Sequence, residues 1–396
     1  MNTTKSTVQM PSSLAVLGST GSVGTQALDV ARHHHIKIDL LTARASLDLL
    51  EKQVREFSPR LCAVADEQAA QDLRVRIADM PTKVFAGEAG VLEAIAASTA
   101  PVAVNATLGE AGLAPTLAVI ESGKRLALAN KESLVIAGTL VMERARERGV
   151  EILPVDSEHC AIFQCLLAGK RQEVRRVWLT ASGGPFFGYD RTRLATVTRE
   201  QTLAHPTWKM GAKITVDSAT LMNKGFELIE AAHLFGLHAD EVTVVVQRQS
   251  IIHSMVEYID NTVIAQMSVP DMRDCVQYAL TYPARTNAPT EPLDFFSLGH
   301  LTFDRPDTEA FPLLPLASYA FSEGGAVAAT LNAANEEAVA AFLTRPLRLT
   351  DIFDVVCEVT ECLTHEAKRA TTLPDILACA QRARALAREM ALSRAK

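Results

Sequence analysis

The chain has 396 residues, a formal net charge of −7, 48% hydrophobic residues and 21% charged residues. This length exceeds one typical hydrophobic core, so we expect two or three domains of ordinary soluble composition. The chain has no basic excess with which to neutralise phosphates, which argues against nucleic acid as its main ligand.

The N-terminal residues 1–13 are polar and lack the apolar core of a signal peptide. No run of 18 apolar residues follows, so we expect no membrane span. The seven cysteines form no C-x-x-C pair, which predicts neither a disulfide framework nor a zinc ribbon and fits a reducing compartment. Together these features predict a cytoplasmic protein.

The first 155 residues alternate short apolar runs with segments of helical length, such as 46–57 and 133–148. Strands buried on both faces of a parallel sheet have this apolar character. The alternation predicts an α/β fold with a Rossmann-like, doubly wound parallel sheet. The predicted strands are 14–17, 37–41, 61–65, 102–105, 126–129 and 151–154.

The next part of the chain indicates a second α/β layer, with helices at 161–168 and 219–235 and strands at 177–180, 242–246 and 263–268. A proline-rich segment then predicts a linker, and the Ala-rich remainder predicts a helical bundle. The expected division is therefore 1–155 (Rossmann-like domain), 156–281 (second α/β domain), 282–315 (linker) and 316–396 (C-terminal helical domain).

A glycine-rich turn, GSTGSVG at 18–24, follows the first predicted strand and opens a helix. Glycines at such a turn let the backbone approach a pyrophosphate, whose charge the helix N-terminus faces. The spacing G-x-x-G-x-x-G departs from G-x-G-x-x-G, and a plain strand–helix turn is the alternative. The second strand ends in Arg44, Ala45 and Ser46 rather than in an acid, which favours NADP(H) over NAD(H). The alternative is that Arg44 is an ordinary surface arginine.

Two carboxylates, Asp156 and Glu158, follow an apolar run, and an extended backbone would direct both to one side. Two carboxylates about 4 Å apart repel each other by about 4 kcal/mol at an effective dielectric constant near 20, so a cation or a raised pKa is needed. The alternative is a loop of solvated acids that caps the following helix.

A second polar segment runs from Asp217 to Glu227. Asp217 or Ser218 is predicted to cap a helix that carries Asn223, Lys224 and Glu227, the last two at a spacing of three residues. A hydroxyl, an amide and an ammonium group at a helix start suit a phosphate. Glu227 would complete an all-oxygen Mg²⁺ or Mn²⁺ site with Asp156 and Glu158. The alternative is a surface ion pair.

Two further segments fit the same kind of pocket. Ser182 lies in a glycine-containing turn after a predicted strand, where backbone N–H groups are available. The segment 204–211 mixes turn-forming residues with His205 and Trp208, which is typical of a lid over a reaction site. Alternatively, Trp208 anchors an ordinary loop to the core.

These segments together resemble the 1-deoxy-D-xylulose 5-phosphate reductoisomerase family, and the resemblance spans nearly the whole chain. The strings that carry it are GSTGSVG at 18–24, ANKES at 129–133, VDSEH at 155–159, SGGPF at 182–186, HPTW at 205–208, VDSAT at 216–220, MNKG at 222–225 with Glu227, IHSM at 252–255, PDM at 270–272 and NAANE at 332–336. The resemblance implies reduction by NADPH, a divalent metal, a phosphorylated sugar substrate and a homodimer.

The resemblance also implies roles for individual residues. Those implied to hold the metal are Asp156, Glu158 and Glu227. Those implied to contact the substrate are Lys131, Ser157, Glu158, Ser182, His205, Ser218, Asn223, Lys224 and Glu227. Those implied to contact NADPH are Thr20, Gly21, Ser22, Val23, Asn130, Glu132 and Gly211. Lys131 and Glu158 are expected to manage charge and protons during catalysis, beside Asp156 and Glu227.

The chain departs from the family pattern in two places. The turn at 44–46 reads Arg-Ala-Ser where Gly-Lys/Ser-Asn is usual, which concerns the contacts to the 2′-phosphate. The string at 247–250 reads QRQS where His-Pro-Gln-Ser is usual, and we expect an effect on local packing or a subunit contact.

Two rival functions remain open from the residues alone. Cys160 beside His159 allows a cysteine-dependent aldehyde dehydrogenase, which would be active without metal. A catalytically silent NADP-binding sensor is the other rival, although it would need no converging carboxylates.

Overall fold

The structure is a computed structural model that describes residues 10–208 and 210–395. Most of the N-terminal segment in which no signal peptide was found lies outside these ranges, as does Lys209 of the predicted lid. None of the helices in the described ranges combines the length and the apolar character needed to cross a membrane.

A parallel sheet forms the first half of the fold, and its described strands follow the order β4-β3-β2-β1-β5-β6-β7. They are β1 (Ser13–Leu17), β2 (Lys37–Ala43), β3 (Leu61–Val64), β4 (Lys83–Ala86), β5 (Val102–Asn105), β6 (Arg125–Leu128) and β7 (Ile152–Pro154). The central strand β1 is apolar and buried, as expected for a sheet covered on both faces. The strand order reverses between β1 and β5, and this is the position at which open α/β sheets bind ligands.

The helices between these strands complete the doubly wound pattern predicted from the sequence. They are α1 (Ser22–His33), α2 (Leu47–Phe57), α3 (Glu67–Arg76), α4 (Gly87–Ala97), α5 (Leu113–Glu121) and α6 (Glu132–Arg148). All six predicted strands are confirmed to within two residues. Strand β4 was not predicted, because its four residues at the sheet edge are less buried and give a short apolar signal.

A smaller mixed sheet follows, with the described strands in the order β11-β10-β8-β9. They are β8 (Val174–Ala181), β9 (Val242–Val246), β10 (Ile252–Tyr258) and β11 (Val263–Met267). Strands β8 and β9 are parallel, whereas β10 runs antiparallel to β8 and β11. The second α/β layer is therefore confirmed, although β10 was not predicted as a strand.

Six α-helices lie between β7 and the C-terminal part of the described chain. They are α7 (Ser157–Leu166), α8 (Arg191–Leu194), α9 (Arg199–Leu203), α10 (Ala212–Ala219), α11 (Met222–Phe235) and α12 (Met272–Thr281). The helix predicted over 219–235 begins later, because Leu221 has a φ of 59°, which ends the right-handed helical path between α10 and α11.

The C-terminal part is helical, as predicted. Its helices are α13 (Leu313–Glu323), α14 (Val327–Thr344), α15 (Leu349–Ala367) and α16 (Leu373–Arg394). The alanines of α14 are small enough to let α15 and α16 pack closely against it, and Phe342 and Phe353 are fully buried there. Between α12 and α13 the described chain forms no helix and only an isolated bridge at Asp304.

The chain divides into two compact units, each built from three separate stretches. The first unit comprises the described part of Met1–Asn130, Glu143–Cys160 and Asp271–Glu291, and it contains the parallel sheet. The second comprises Lys131–Met142, Ala161–Pro270 and Pro292–Lys396 within the described ranges, and it contains the mixed sheet and the C-terminal helices. Within the first unit α12 packs against α1. The division into four continuous segments therefore stays a prediction.

Candidate active site

The glycine turn of the first unit is fixed by close backbone packing. Gly18 has a φ of 75°, and a Cβ there would lie 2.7 Å from the Ala106 carbonyl oxygen. A Cβ on Gly24 would lie 2.2 Å from the Gly18 carbonyl oxygen. The Gly18 N–H donates to Thr42 Oγ1 at 3.0 Å, which ties the turn to the end of β2. The alternative of an unspecialised strand–helix turn does not account for these two glycines.

The start of α1 suits an anion. Gly21 is its N-cap, no side chain caps this helix, and its first turn carries no acidic residue. The first N–H groups of a helix lack partners within the helix, and its dipole places positive charge at this end. Of the residues predicted to contact NADPH, Thr20 and Gly21 lie in the turn, and Ser22 and Val23 begin α1. The donor groups present here fit a pyrophosphate.

The turn after β2 is exposed and basic. Arg44, Ala45 and Ser46 directly follow β2, all three are exposed, and Ser46 is the N-cap of α2. The acid in the first turn of α2, Asp48, pairs with Arg76 at 2.6 Å. An exposed, basic turn of this kind suits the 2′-phosphate of NADP(H), and the contact with Arg44 stays a prediction.

Asn130 lies buried after β6 and holds the loop that follows β5. Its side-chain amide donates to the carbonyl oxygens of Thr107 at 2.8 Å and Gly109 at 3.0 Å. A Cβ on Gly112 would lie 2.3 Å from this side chain, so a glycine is needed there. These bonds give Asn130 a structural role beside β5, and its contact with NADPH stays a prediction.

Asp156 and Glu158 lie at the start of α7. Asp156 Oδ1 accepts hydrogen bonds from the Glu158 N–H at 3.1 Å and from His159 Nδ1 at 3.0 Å, and Ser157 Oγ donates to Glu158 Oε2 at 2.5 Å. The expectation of an extended backbone is wrong, because α7 begins at Ser157 and the helical geometry satisfies these donors. The alternative of a helix cap is correct for Asp156. The side chain of Asp156 is only 11% exposed, so the acids do not form a solvated loop.

A buried charged cluster surrounds Glu227 in the second unit. Lys131 Nζ lies 3.0 Å from Glu227 Oε1 and 2.9 Å from Asn223 Oδ1. The Asn223 amide donates to Glu227 Oε1 at 2.5 Å, and the Lys224 ammonium donates to Glu227 Oε2. The side chains of Lys131, Lys224 and Glu227 are 7%, 5% and 2% exposed, so the alternative of a surface ion pair is wrong. The two ammonium groups and the Asn223 amide are donors of the kind that bind an anion.

Asp217 and Ser218 do not cap α11, contrary to the prediction. Both lie in the last turn of α10, and Leu221 occupies the N-cap position of α11 without a side-chain cap. Asp217 instead accepts from Asn335 Nδ2 at 2.7 Å. A Cβ on Gly184 would lie 2.7 Å from the Ser218 carbonyl oxygen, so this glycine lets the turn that carries Ser182 approach Ser218.

His205 and Ser182 are brought together, with His205 Nε2 3.1 Å from Ser182 Oγ. His205 Nδ1 accepts from the N–H groups of Thr207 at 3.1 Å and Trp208 at 2.9 Å. Because those groups can only donate, the neutral ring carries its proton on Nε2 and donates it to Ser182. Burial lowers the pKa of His205, which favours this neutral form. The Trp208 ring lies 6.4 Å from the His253 ring, so both the lid and the anchored-loop interpretations remain open.

Lys213 was not singled out from the sequence, although it joins two predicted regions. Its ammonium lies 3.0 Å from Glu132 Oε1 and 2.9 Å from Asp217 Oδ2. Burial works to raise the pKa of Glu132, but Lys213, a backbone hydrogen bond and Lys131 together outweigh this effect and the pKa is lowered. The spacing of four residues between Lys213 and Asp217 was the available signal. Gly211, predicted to contact NADPH, is the exposed N-cap of this helix.

Gln247 and Arg248, the residues of the second departure from the family pattern, take part in local packing. The Gln247 side chain is buried and accepts from the Ile251 N–H at 3.0 Å, which closes the turn between β9 and β10. The Arg248 guanidinium lies over the Phe187 ring, 4.9 Å from its centroid. The effect of the departure on packing or on a subunit contact stays a prediction.

The class of protein follows from the first unit. A doubly wound parallel sheet with a glycine turn at its switch point, opening an uncapped helix, is typical of dinucleotide-binding enzymes. Three models of reductoisomerase domains match the chain. They are described as 1-deoxy-D-xylulose 5-phosphate reductoisomerase (residues 14–138), its C-terminal domain (152–235) and DXP reductoisomerase C-terminal domain (267–386).

Relatives and solved structures agree with this match. The 1-deoxy-D-xylulose 5-phosphate reductoisomerase of Acetivibrio thermocellus is 48% identical over 93% of this chain and 96% of that protein, and that of Caldanaerobacter subterraneus subsp. tengcongensis is 50% identical over 92% and 95%. A crystal structure of DOX-P reductoisomerase with NADPH, fosmidomycin and magnesium has a TM-score of 0.92 at 37% identity, covering 97% of this chain and 100% of that one. The Zymomonas mobilis enzyme with NADPH has a TM-score of 0.88 at 41% identity, with the same coverage.

The chain therefore belongs to the 1-deoxy-D-xylulose 5-phosphate reductoisomerase family, as the resemblance indicated. It is an enzyme of that family, which sets aside the catalytically silent sensor. Cys160, the nucleophile of the other rival, is buried within α7.

Proposed function

We propose that the chain converts 1-deoxy-D-xylulose 5-phosphate into 2-C-methyl-D-erythritol 4-phosphate, with NADPH and a divalent metal, in non-mevalonate isoprenoid biosynthesis. The observation that carries this proposal is the buried cluster of Lys131, Asn223, Lys224 and Glu227, which offers cationic and amide donors to a phosphorylated substrate. Family membership supports the same substrate.

Asp156, Glu158 and Glu227 are the proposed metal ligands. Asp156 and Glu158 belong to the first unit and Glu227 to the second. The proposal that all three bind the same ion rests on the resemblance to the family. Their donor atoms are all carboxylate oxygens, which fits Mg²⁺ or Mn²⁺ better than zinc. Magnesium is present in the related DOX-P reductoisomerase complex. When bound, the ion supplies Lewis-acid polarisation to the ketone and hydroxyl oxygens of the substrate.

The remaining site residues hold the substrate in this proposal. Ser182, Ser218, Asn223 and Lys224 bind its phosphate, and the energy of these distant contacts helps to orient the reacting carbons. His205 keeps Ser182 oriented through its Nε2–H. Lys131 stabilises negative charge that develops on the substrate oxygens, and the Glu158 carboxyl group, beside Ser157, exchanges a proton with them.

The main part of the NADPH site is proposed for the first unit. The turn of Thr20, Gly21, Ser22 and Val23 binds the pyrophosphate of NADPH, and the turn at 44–46 binds its 2′-phosphate. Asn130, Glu132 and Gly211 are the further predicted contacts. When bound, NADPH supplies the hydride that reduces the rearranged aldehyde. A homodimer and a cytoplasmic location remain predictions that follow from the family and from the sequence.

The test incubates the purified protein with 1-deoxy-D-xylulose 5-phosphate, NADPH and Mg²⁺ and identifies the product by mass spectrometry and NMR. We expect one 2-C-methyl-D-erythritol 4-phosphate per NADPH oxidised. Reduction of the unrearranged ketone, or no product at all, would contradict the proposal. Replacing NADPH by NADH tests the basic turn at 44–46, and we expect a higher KM for NADH.

A further inference from the structure

Lys213, in the first turn of α10, contacts three residues of the second unit, two of which lie in other helices. Its ammonium forms ion pairs with Glu132 at the start of α6 and with Asp217 at the end of α10. It also lies 5.0 Å from the centroid of the buried Phe226 ring in α11, a cation–π distance. The side chain is 29% exposed, so most of it is covered by protein.

Each of these three partners is the chain neighbour of a residue proposed to bind substrate or metal. Glu132 follows Lys131, Asp217 precedes Ser218, and Phe226 precedes Glu227. A shift of one residue by an ångström carries its covalent neighbour with it, because consecutive Cα atoms are held 3.8 Å apart. The position of Lys213 is thus linked to three separate parts of the proposed site.

The Lys213 ammonium also offsets the repulsion between two buried carboxylates, those of Glu132 and Asp217. The side chains of Glu132 and Asp217 are only 10% and 2% exposed, and both lie within 3.0 Å of the same nitrogen. Removing that nitrogen would leave two neighbouring buried negative charges, which is strongly unfavourable. Although burial opposes its charge, Asp217 and Glu132 raise the pKa of Lys213 well above its usual value. Asn335 holds the second oxygen of Asp217, so the aspartate cannot follow a displaced partner freely.

We propose that Lys213 is a positioning residue for catalysis, which sets the placement of Lys131, Ser218 and Glu227 through its contacts with Glu132, Asp217 and Phe226. The expected effect on kcat and KM rests on the proposed function, because it is measured with the proposed substrate. Among the described residues, the partners of Lys213 include no group assigned to the substrate, and one of them, Glu132, is a proposed NADPH contact. Its effect is therefore expected on the geometry of the site.

The experiment compares the full-length wild type with Lys213→Met, Lys213→Arg and Arg60→Met. Arg60 is the matched control, since it pairs at 2.9 Å with a similarly buried carboxylate, Asp39, which also has Ser98 as a donor. Steady-state kinetics with 1-deoxy-D-xylulose 5-phosphate are combined with thermal unfolding. Amide hydrogen exchange of residues 131–135 and 215–228 supplies a readout that needs no turnover.

We expect Lys213→Met to lower kcat/KM roughly 10- to 100-fold, the size of effect that follows from a small misplacement of reacting groups. It should also speed amide exchange in both segments at a temperature well below unfolding. Lys213→Arg, which keeps the charge, should recover most of the lost kcat/KM. Arg60→Met should lower the unfolding temperature while leaving kcat, KM and exchange in those segments unchanged.

The proposal is overturned if Lys213→Met keeps wild-type exchange in both segments, or if its kcat and KM stay at the wild-type values. It is also overturned if Arg60→Met, matched in unfolding temperature, loses as much kcat/KM. If the wild type itself fails to turn over the substrate, the proposed function fails, and the exchange data then decide the positioning role alone.

Discussion

Among the individual residues of the site, Glu227 has the most informative contacts, because its carboxylate pairs with two ammonium groups. Both of its carboxylate oxygens accept from an ammonium group, one from Lys131 and the other from Lys224. Such buried pairs are costly to break one partner at a time, because the remaining charge stays buried. The same carboxylate is the proposed metal ligand of the second unit, so its charge serves both the cluster and the ion.

The substitution Glu227→Gln tests this dual role. The amide keeps the size of the side chain but removes the negative charge, so we expect turnover to fall by at least about 100-fold. Circular dichroism and thermal unfolding should show a folded protein that is less stable than the wild type. Glu257→Gln, which removes the carboxylate that accepts from Trp178 at 2.8 Å, is the control and should keep near-normal turnover. Near-normal rates for Glu227→Gln would contradict the ligand role.

Among the secondary-structure elements, the glycine turn and α1 show how a short sequence determines the path of the backbone. The positive φ of Gly18 and the contact between Gly24 and Gly18 leave no room for side chains. The backbone N–H groups of the first turn of α1 are consequently presented without an intervening side chain. This is the reason a dinucleotide phosphate can approach so closely.

We expect Gly24→Ala to raise the KM for NADPH by about tenfold or more, because the added Cβ must displace the Gly18 carbonyl and with it the turn. Binding of NADPH, followed by fluorescence, measures the effect without turnover. Gly149→Ala is a suitable control: Gly149 has a φ of 64° and open space around its Cβ position, so strain alone is introduced there. If Gly24→Ala binds NADPH as tightly as Gly149→Ala, the proposal that the glycine turn at 18–24 binds NADPH is wrong.

The sequence predicted those elements whose signal is local. The apolar runs of β1 and β5 were placed correctly because burial on both faces leaves a clear pattern, and the helical C-terminus was placed correctly because of its alanine-rich periodicity. Strand β4 was missed because it is short and lies at an edge. The break at Leu221 was missed because a leucine with positive φ has no sequence signature, and this error moved Asp217 and Ser218 from a helix start to a helix end.

The candidate site was predictable in composition but not in contacts. The residues near Glu227 follow from spacing along α11, whereas Lys131 reaches them from a position about 90 residues earlier in the chain. Lys213 is a similar case, since its partner Glu132 lies 81 residues earlier in the chain. Such long-range pairs are a product of the tertiary fold, which spacing along the chain does not encode.

Each unit of the whole molecule is assembled from three separate stretches of chain. Cutting at the predicted boundary near residue 155 would separate the parallel sheet from residues 271–291, which pack within the same unit. The stability of each unit therefore depends on stretches that are distant in sequence, and stability also depends on pH through partly buried histidines.

His233 is the clearest such histidine. Its ring packs against Gly138, where an added Cβ would lie 2.3 Å from a ring atom, and against Phe321 at 5.2 Å between centroids. Burial lowers its pKa from 6.5 to about 4. Between these values the unfolded chain binds a proton that the folded chain does not, so stability is full above pH 6.5 and is lost as the pH falls toward 4.

We expect His233 to account for about 2 kcal/mol of the stability lost between about pH 7 and about pH 5. Urea unfolding of the wild type and of His233→Phe at both pH values measures it, and the difference between the two proteins removes the contribution of other groups. The aromatic replacement preserves the ring contacts, so its stability should fall less over this range. An equal fall in both proteins would show that His233 does not titrate as described.

The most direct test of the central claim is the initial rate of NADPH oxidation with 1-deoxy-D-xylulose 5-phosphate, measured after complete chelation and again after adding back Mg²⁺ or Mn²⁺. The proposed oxygen-only site predicts no turnover in the chelated protein and recovery with either ion. Undiminished turnover after chelation would contradict the metal assignment, and no turnover with either ion present would contradict the function itself.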